Sequence, residues 1–240
     1  MLVSGGASHH LVLCHYDETS RQFGPAQDLA ESLGDPGVSY QIHAKKFDWS
    51  NDGTKLIIGG EEGLATFDLR TGARERVLEP FLRSSGSGSA DIYSVSFSPK
   101  AERVAFSVKG NDLFTEWGEK FQDLWLVDVQ GTNAHRLGHG VFPSWAPDGS
   151  SLIAINGAMG GANNVLRYDP RTGQCHSIYD RRVAKAVYSP DGQFIAMYGS
   201  YKEQWGLPSI FLTDKDGRFQ RVVATPEELP GALYPPRLDW

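Results

Sequence analysis

The chain has few sulfur atoms: two cysteines and three methionines in 240 residues. Cys14 and Cys175 lie too far apart to frame a metal site, and a disulfide between them is not expected. Long apolar runs are missing too. No stretch approaches the ~18 residues a membrane-spanning helix needs, so no membrane partner is expected. The opening MLVSGGASHH lacks a basic start followed by an apolar core, so no secretory signal is visible. The chain as given reads as cytoplasmic, or as periplasmic if it is a mature form. It has no basic run and carries a net charge of −6, which argues against a nucleic-acid partner. Nor is there a linker-like stretch dividing an evenly spread 40% hydrophobic content, so residues 1–240 read as one domain.

What the chain does have is one phrase repeated. FDWSNDG, VSFSPKA, PSWAPDG and AVYSPDG each place an aromatic before Ser or Ala, then a tight turn. Pro presets φ for the second turn position, Asp tolerates the third, and Gly takes the positive φ that follows. Apolar runs on both sides make each copy a β-hairpin. The second copy has Lys100-Ala101 where the others have Asp-Gly and reads as a degraded turn, at which Ser in place of Ala101 would be tolerated. The aromatics Trp49, Phe97, Trp145 and Tyr188 are 48, 48 and 43 residues apart. A period of that size marks stacked or radial repeats.

A second phrase runs in register with the first: LATFDLRTG, LWLVDVQG, VLRYDPRTG and IFLTDKDG. Each is an apolar strand ending in Asp and followed by a Gly-bearing turn. TDKDG has the opening of an acidic calcium loop but lacks the rest of it. The recurrence of Asp68, Asp128, Asp169 and Asp214 argues for a structural task, accepting turn N–H groups. Each repeat then holds four strands, a to d, and four-stranded antiparallel units at this period are propeller blades.

WSNDGTKLIIGG…FDLRTG, SWAPDGSSLIAI and VYSPDGQFIAMYG resemble the WD40-like (PD40) repeats of the TolB-type β-propellers, over residues 1–24 and 43–240. The resemblance implies the fold; the repeat serves binding proteins, peptidase gating domains and some enzymes, so it does not by itself imply an activity.

The two ends of the chain complement each other. LVSGG near the start matches LIIGG at 56–60, Tyr16-Asp17 matches Phe67-Asp68, and the final LDW matches FDW at 47–49. The expected fold is an all-β, five-bladed propeller with four antiparallel strands per blade. Its ring is closed by a C-terminal strand a pairing with N-terminal strands b, c and d. The blades would be 233–240 plus 1–40, 41–90, 91–139, 140–182 and 183–232.

In such a ring the a–b and c–d turns share one face and the b–c and d–a loops share the other. Here the first set is short and uniform, and the second is long and varied, which marks the second as the candidate binding face. Loop 80–92 reads as flexible over its Gly- and Ser-rich part. The varied loops carry Phe114, Trp117, Phe121, Tyr201 and Trp205, aromatics suited to a protein hot spot or to stacking on sugar. The inner strands add His43, Lys45, Lys185 and Arg237 near the channel mouth, a basic set suited to an anionic ligand or a peptide carboxylate. His9, His10, His43, Asp91 and His139 have no metal-ligand spacing, so neither metal nor cofactor is expected. The carboxylate pair of a glycosidase is missing, as is the Gly-x-Ser-x-Gly of a serine hydrolase. No catalytic set is therefore assigned. The expectation is a monomeric, non-enzymatic binding platform for a protein or peptide, with a carbohydrate-binding module as the alternative and a glycosidase-like enzyme behind both.

Overall fold

The computed structural model describes residues 2–5, 8–14, 16–17, 19–25, 27–28, 47–60, 63–79, 81–82, 89–90, 92–109, 122–156, 163–201, 208–225 and 228. These residues are all-β. The first strands are β1 (Leu2–Gly5), β2 (Ser8–Leu13), β3 (Tyr16–Asp17), β4 (Gln22–Phe23) and β5 (Gln27–Asp28). They form an antiparallel sheet in the order β1-β2-β5, with β3-β4 as a separate ladder. Four four-stranded antiparallel sheets follow. Sheet one is β6 (Phe47–Trp49), β7 (Lys55–Gly60), β8 (Gly63–Asp68) and β9 (Arg74–Leu78). A short ladder, β10 (Phe81–Leu82) with β11 (Ser89–Ala90), comes next. Sheet two is β12 (Ile92–Phe97), β13 (Arg103–Lys109), β14 (Gln122–Asp128) and β15 (His135–His139). Sheet three is β16 (Val141–Trp145), β17 (Leu152–Asn156), β18 (Asn164–Tyr168) and β19 (Cys175–Tyr179), and sheet four is β20 (Val183–Tyr188), β21 (Phe194–Gly199), β22 (Ser209–Asp214) and β23 (Phe219–Ala224).

The ladder β10-β11 joins the two ends of a segment expected to be open loop. Phe81 pairs with Ala90 and Leu82 with Ser89, so Ser89 and Ala90 belong to a strand. The described strands do not close into a ring. The expected closing strand, 234–240, lies outside the described residues, as do residues 110–121 of the b–c loop expected at 108–122 and 202–207 of that expected at 199–208.

Burial grades across each sheet as the apolar pattern requires. The first strand alternates buried and half-buried positions, as in Val141-Phe142-Pro143-Ser144-Trp145. The second is buried along nearly its whole length; in sheet three both of its faces meet neighbouring sheets. The fourth is largely exposed. The core is a series of seams between sheets. Ile57, Leu64 and Val77 of sheet one pack with Val95, Val104 and Phe106 of sheet two. Ala105 and Leu126 of sheet two meet Trp145 and Leu152 of sheet three. Ile153 and Val165 of sheet three meet Ile195, Met197 and Phe211 of sheet four. The two cysteines are unbonded, Cys175 on the exposed outer strand of sheet three.

The a–b turns have the expected chemistry. Gly53, Gly149 and Gly192 have φ of 68, 73 and 70°. Asp52 Oδ1 accepts the Thr54 N–H at 3.0 Å and the Ser50 hydroxyl at 2.6 Å, and Asp191 does the same with Gln193 and Ser189. These bonds, the Ser50 hydroxyl first, lower the Asp52 pKa to about 2. The second turn corrects the sequence reading: it is not degraded in conformation. Ala101 adopts φ 54°, and its N–H reaches the Ser98 carbonyl at 2.8 Å, as the glycines do elsewhere. Packing of the flanking strands imposes the turn, so Ala101 carries strain and a Ser there would share it.

The recurrent aspartates cap the c–d turns. Asp68, Asp169 and Asp214 each accept two turn N–H groups, and Gly72, Gly173 and Gly217 take positive φ. Asp128 accepts the Thr132 hydroxyl and the Asn133 amide instead. Asp17 joins the series, accepting the Thr19 N–H at 2.8 Å, with Arg21 at φ 54° where the other turns have glycine. TDKDG is therefore a c–d turn. Two of these glycines also fit against the preceding sheet: a Cβ on Gly131 would collide with the Val77 carbonyl oxygen, and one on Gly217 with that of Ile178.

Two measurements follow. Ala101→Gly is expected to raise stability by about 0.5–1 kcal/mol in urea unfolding, because it removes a left-handed Cβ, whereas Gly149→Ala should cost about 1 kcal/mol. Gly217→Ala should lower the melting temperature well beyond Gly173→Ala. The φ values, 83 and 74°, are alike, but the nearest neighbour of a Gly173 Cβ is Leu137 Cδ1 at 4.0 Å, an ordinary contact.

Candidate functional site

The inner strand of each sheet bonds its second strand along one edge and turns the other towards the centre. The N–H groups on that open edge need acceptors, and neighbouring sheets supply them. Asp48 Oδ2 accepts the Phe97 N–H at 2.8 Å, and Ser144 Oγ accepts that of Tyr188 at 3.2 Å. Both pairs join the residue before one sheet's terminal aromatic to the aromatic of the next sheet. Higher up, Ser94 Oγ accepts the Phe142 N–H at 3.0 Å and meets the Ser107 hydroxyl at 2.6 Å. The Trp145 indole donates to the Ser96 carbonyl at 3.3 Å.

These four strands line a central pocket of about 690 Å³, within the ~300–1,000 Å³ range of small-ligand sites. Asn51, Pro99, Pro147 and Pro190 stand at its turn end. Ser94, Phe142 and Lys185 line the half nearer the d–a loops, and Asp48, Ser96 and Ser144 the half nearer the turns. Lys185 is the one cation among the described lining residues, and Asp48 the one carboxylate. Phe142 holds φ 54° at a register shift between Val141 and Ser144, and its ring lies 5.3 Å from that of Tyr93. A non-glycine residue in this conformation is held there by its surroundings.

Of the nine site residues expected from sequence, two are described. Lys185 lines the pocket, as expected of the inner strand. Tyr201 is set down on its own sheet: its ring stacks on Phe219 at 5.5 Å with 16° between the planes, and lies tilted against Phe211 at 6.0 Å. Its carbonyl accepts the Arg181 guanidinium at 2.7 Å. Phe114, Trp117, Phe121, Trp205, His43, Lys45 and Arg237 lie outside the described residues. His139 sits between Arg136 and Asp123, which is 3.3 Å away; burial first, then the Arg136 charge, lowers its pKa. Among the described residues no three His, Cys, Asp or Glu side chains converge as metal ligands, and no helix is long and apolar enough to cross a membrane.

Sequence reasoning missed Phe142 and the serines at 94 and 144. The repeat does signal the second of these, since Asp48, Ser96 and Ser144 share one register position. Phe142 had no signal, because its place depends on a bulge.

No protein-family model matches the chain, and no curated protein matches it. Solved structures do. TolB from Acinetobacter baumannii superposes with a TM-score of 0.60 at 18% identity, over 89% of this chain and 48% of that one. Oligogalacturonate lyase in complex with manganese gives 0.57 at 18%, over 89% and 59%. The putative TolB from Agrobacterium tumefaciens gives 0.54 at 20%, over 75% and 60%. The chain thus spans about half to three-fifths of the length of these structures. Its fold is that of the TolB-type β-propellers. One of the three is an enzyme, so the shared fold leaves the activity open.

Asp48→Ala removes the acceptor for the Phe97 N–H and should lower stability by about 1.5 kcal/mol or more in denaturant unfolding, the scale of a hydrogen bond to a charged group. Ser144→Ala, which removes a neutral acceptor, should cost less.

Proposed function

We propose that this chain is a non-enzymatic platform that binds a protein or peptide at the b–c/d–a loop face, over the mouth of the central pocket. The observation behind this reading is the division of labour in the pocket wall. Its described carboxylate, Asp48, is engaged by the Phe97 N–H at the turn end. Lys185 and Phe142 both line the half nearer the d–a loops. A cation and an aromatic ring lining one half of the pocket suit a carboxylate or an acidic side chain entering from that face. Trp117 and Trp205, in the longest b–c loops, would be rim anchors over a low floor at 157–163. Buried interface aromatics commonly carry ~2 kcal/mol or more each. His43, Lys45 and Arg237 would complete a basic mouth, with Phe114 and Phe121 as supporting aromatics.

The scaffold in this proposal is a single five-bladed ring, with residues 233–240 and 1–40 sharing one blade. Three observations support it. β1, β2 and β5 lie in the order expected for strands b, c and d, Asp17 caps a c–d turn as its four counterparts do, and LDW repeats FDW.

The test is affinity capture from source-cell lysate, with the captured protein then titrated against purified wild-type and variant chains. Lys185→Glu, Trp117→Ala and Trp205→Ala should each weaken binding about tenfold or more without lowering the melting temperature. Variants that all bind like wild type overturn the site. Binding to a glycan array that depends on Trp117 and Trp205 would replace this reading with the carbohydrate-binding one.

A further inference from the structure

The face of sheet four turned away from sheet three carries a groove of about 620 Å³, lined by Pro190, Asp191, Phe194, Leu212, Gln220 and Arg221. The other seams show what belongs in such a place. On sheet two, the Trp145 indole from sheet three lies 5.4 Å from the Arg103 guanidinium. On sheet three, the Tyr188 hydroxyl from sheet four meets Ser151 at 3.1 Å and Arg167 Nε at 3.3 Å. In each case the terminal aromatic of one sheet's inner strand seats on the preceding sheet.

The register of the seat is constant. Arg103, Ser151 and Phe194 each stand two residues after the a–b turn residue of positive φ, namely Ala101, Gly149 and Gly192. Arg167 and Leu212 each stand two residues before a c–d aspartate, Asp169 and Asp214. Phe194 and Leu212 thus occupy on sheet four the positions that hold Tyr188 on sheet three. Their chemistry differs. Ser151 and Arg167 offer a hydroxyl and a guanidinium to a phenol; Phe194 and Leu212 offer only apolar surface. Phe194 is 38% exposed, while Leu212 beside it is 8% exposed.

We propose that this groove is the seat of Trp240, the terminal aromatic of LDW. Sequence register singles it out: LDW at 238–240 repeats FDW at 47–49, so Trp240 holds the place of Trp49, Phe97, Trp145 and Tyr188. Chemistry agrees, because an apolar seat suits an indole better than a hydroxyl-bearing ring. The same register gives Asp239 the role of Asp48, accepting the N–H of the next terminal aromatic, Trp49. The seat and this acceptor together would close the ring. The inference rests on the five-bladed reading and goes further by naming the groove and its occupant.

The test is a double-mutant cycle on the full chain, read by melting temperature. Phe194→Ala and Trp240→Ala should each lower it by several degrees, and the double variant should fall no further than Trp240→Ala alone. The shifts should not change over a hundredfold range of protein concentration. Additive losses, or a Trp240→Ala variant that melts like wild type, overturn the seat. Wild-type melting that rises with concentration also overturns it, since the aromatic would then come from a second copy. Should Trp240→Ala fail to fold, Trp240→Phe keeps the question open to measurement. The fluorescence lost relative to wild type should be shielded from acrylamide; a freely quenched contribution overturns the proposal. Deleting residues 233–240 tests the underlying reading separately. A large loss on deletion with additive point variants leaves the closed ring but removes this seat, whereas a deletion that melts like wild type removes both.

Discussion

The structure depends on how its sheets satisfy one another at the inner edge. A four-stranded sheet placed radially has one inner edge with no strand to pair, and buried backbone N–H groups do not stay unpaired. Here the acceptor comes from the neighbouring sheet: Asp48 for Phe97, Ser94 for Phe142, Ser144 for Tyr188. The terminal aromatic then covers the preceding sheet's turn end, as Trp145 does over Arg103 and Tyr188 over Ser151. The inner strand is therefore a seam as well as a wall. The residues that face the pocket are constrained twice, by their own sheet and by the next.

This double role explains why the turn face is so uniform. Its Asp and Gly residues are committed to local geometry, and Gly131 and Gly217 are further fixed by the carbonyls packed against them. Replacing one of those Asp or Gly residues carries a cost in stability. The opposite ends of the strands carry no such repeated pattern, so their residues are freer to vary. In the pocket the lining changes from an engaged carboxylate at the turn end to Lys185 and Phe142 nearer the loops. A scaffold of this kind separates residues that hold the sheets together from residues at the opposite strand ends, and the same fold is found in both TolB and a lyase.

The sequence by itself determined the strands, their order and the turn chemistry, because these follow from short-range physics. Period-two alternation marks the inner strands, Pro-Asp-Gly sets the a–b turns, and an aspartate followed within a few residues by Gly sets the c–d turns. Even Asp17 was legible, since Tyr16-Asp17 matches Phe67-Asp68 at the end of its strand. Tertiary structure decided the rest. Ala101 takes a glycine's φ because the flanking strands, packed into two seams, hold the turn closed. Ser89 and Ala90 join a ladder because Phe81 and Leu82 come within pairing distance. Tyr201, read as a rim aromatic, lies against Phe219 and Phe211, since an aromatic beside an apolar sheet edge gains by covering it. Lys185 lines the pocket on an inner strand whose register was legible, whereas Phe142 carried no such signal, because a bulge shifts the side-chain alternation that register relies on. Pairing, packing and bulges depend on residues far apart in the chain, and no local pattern records them.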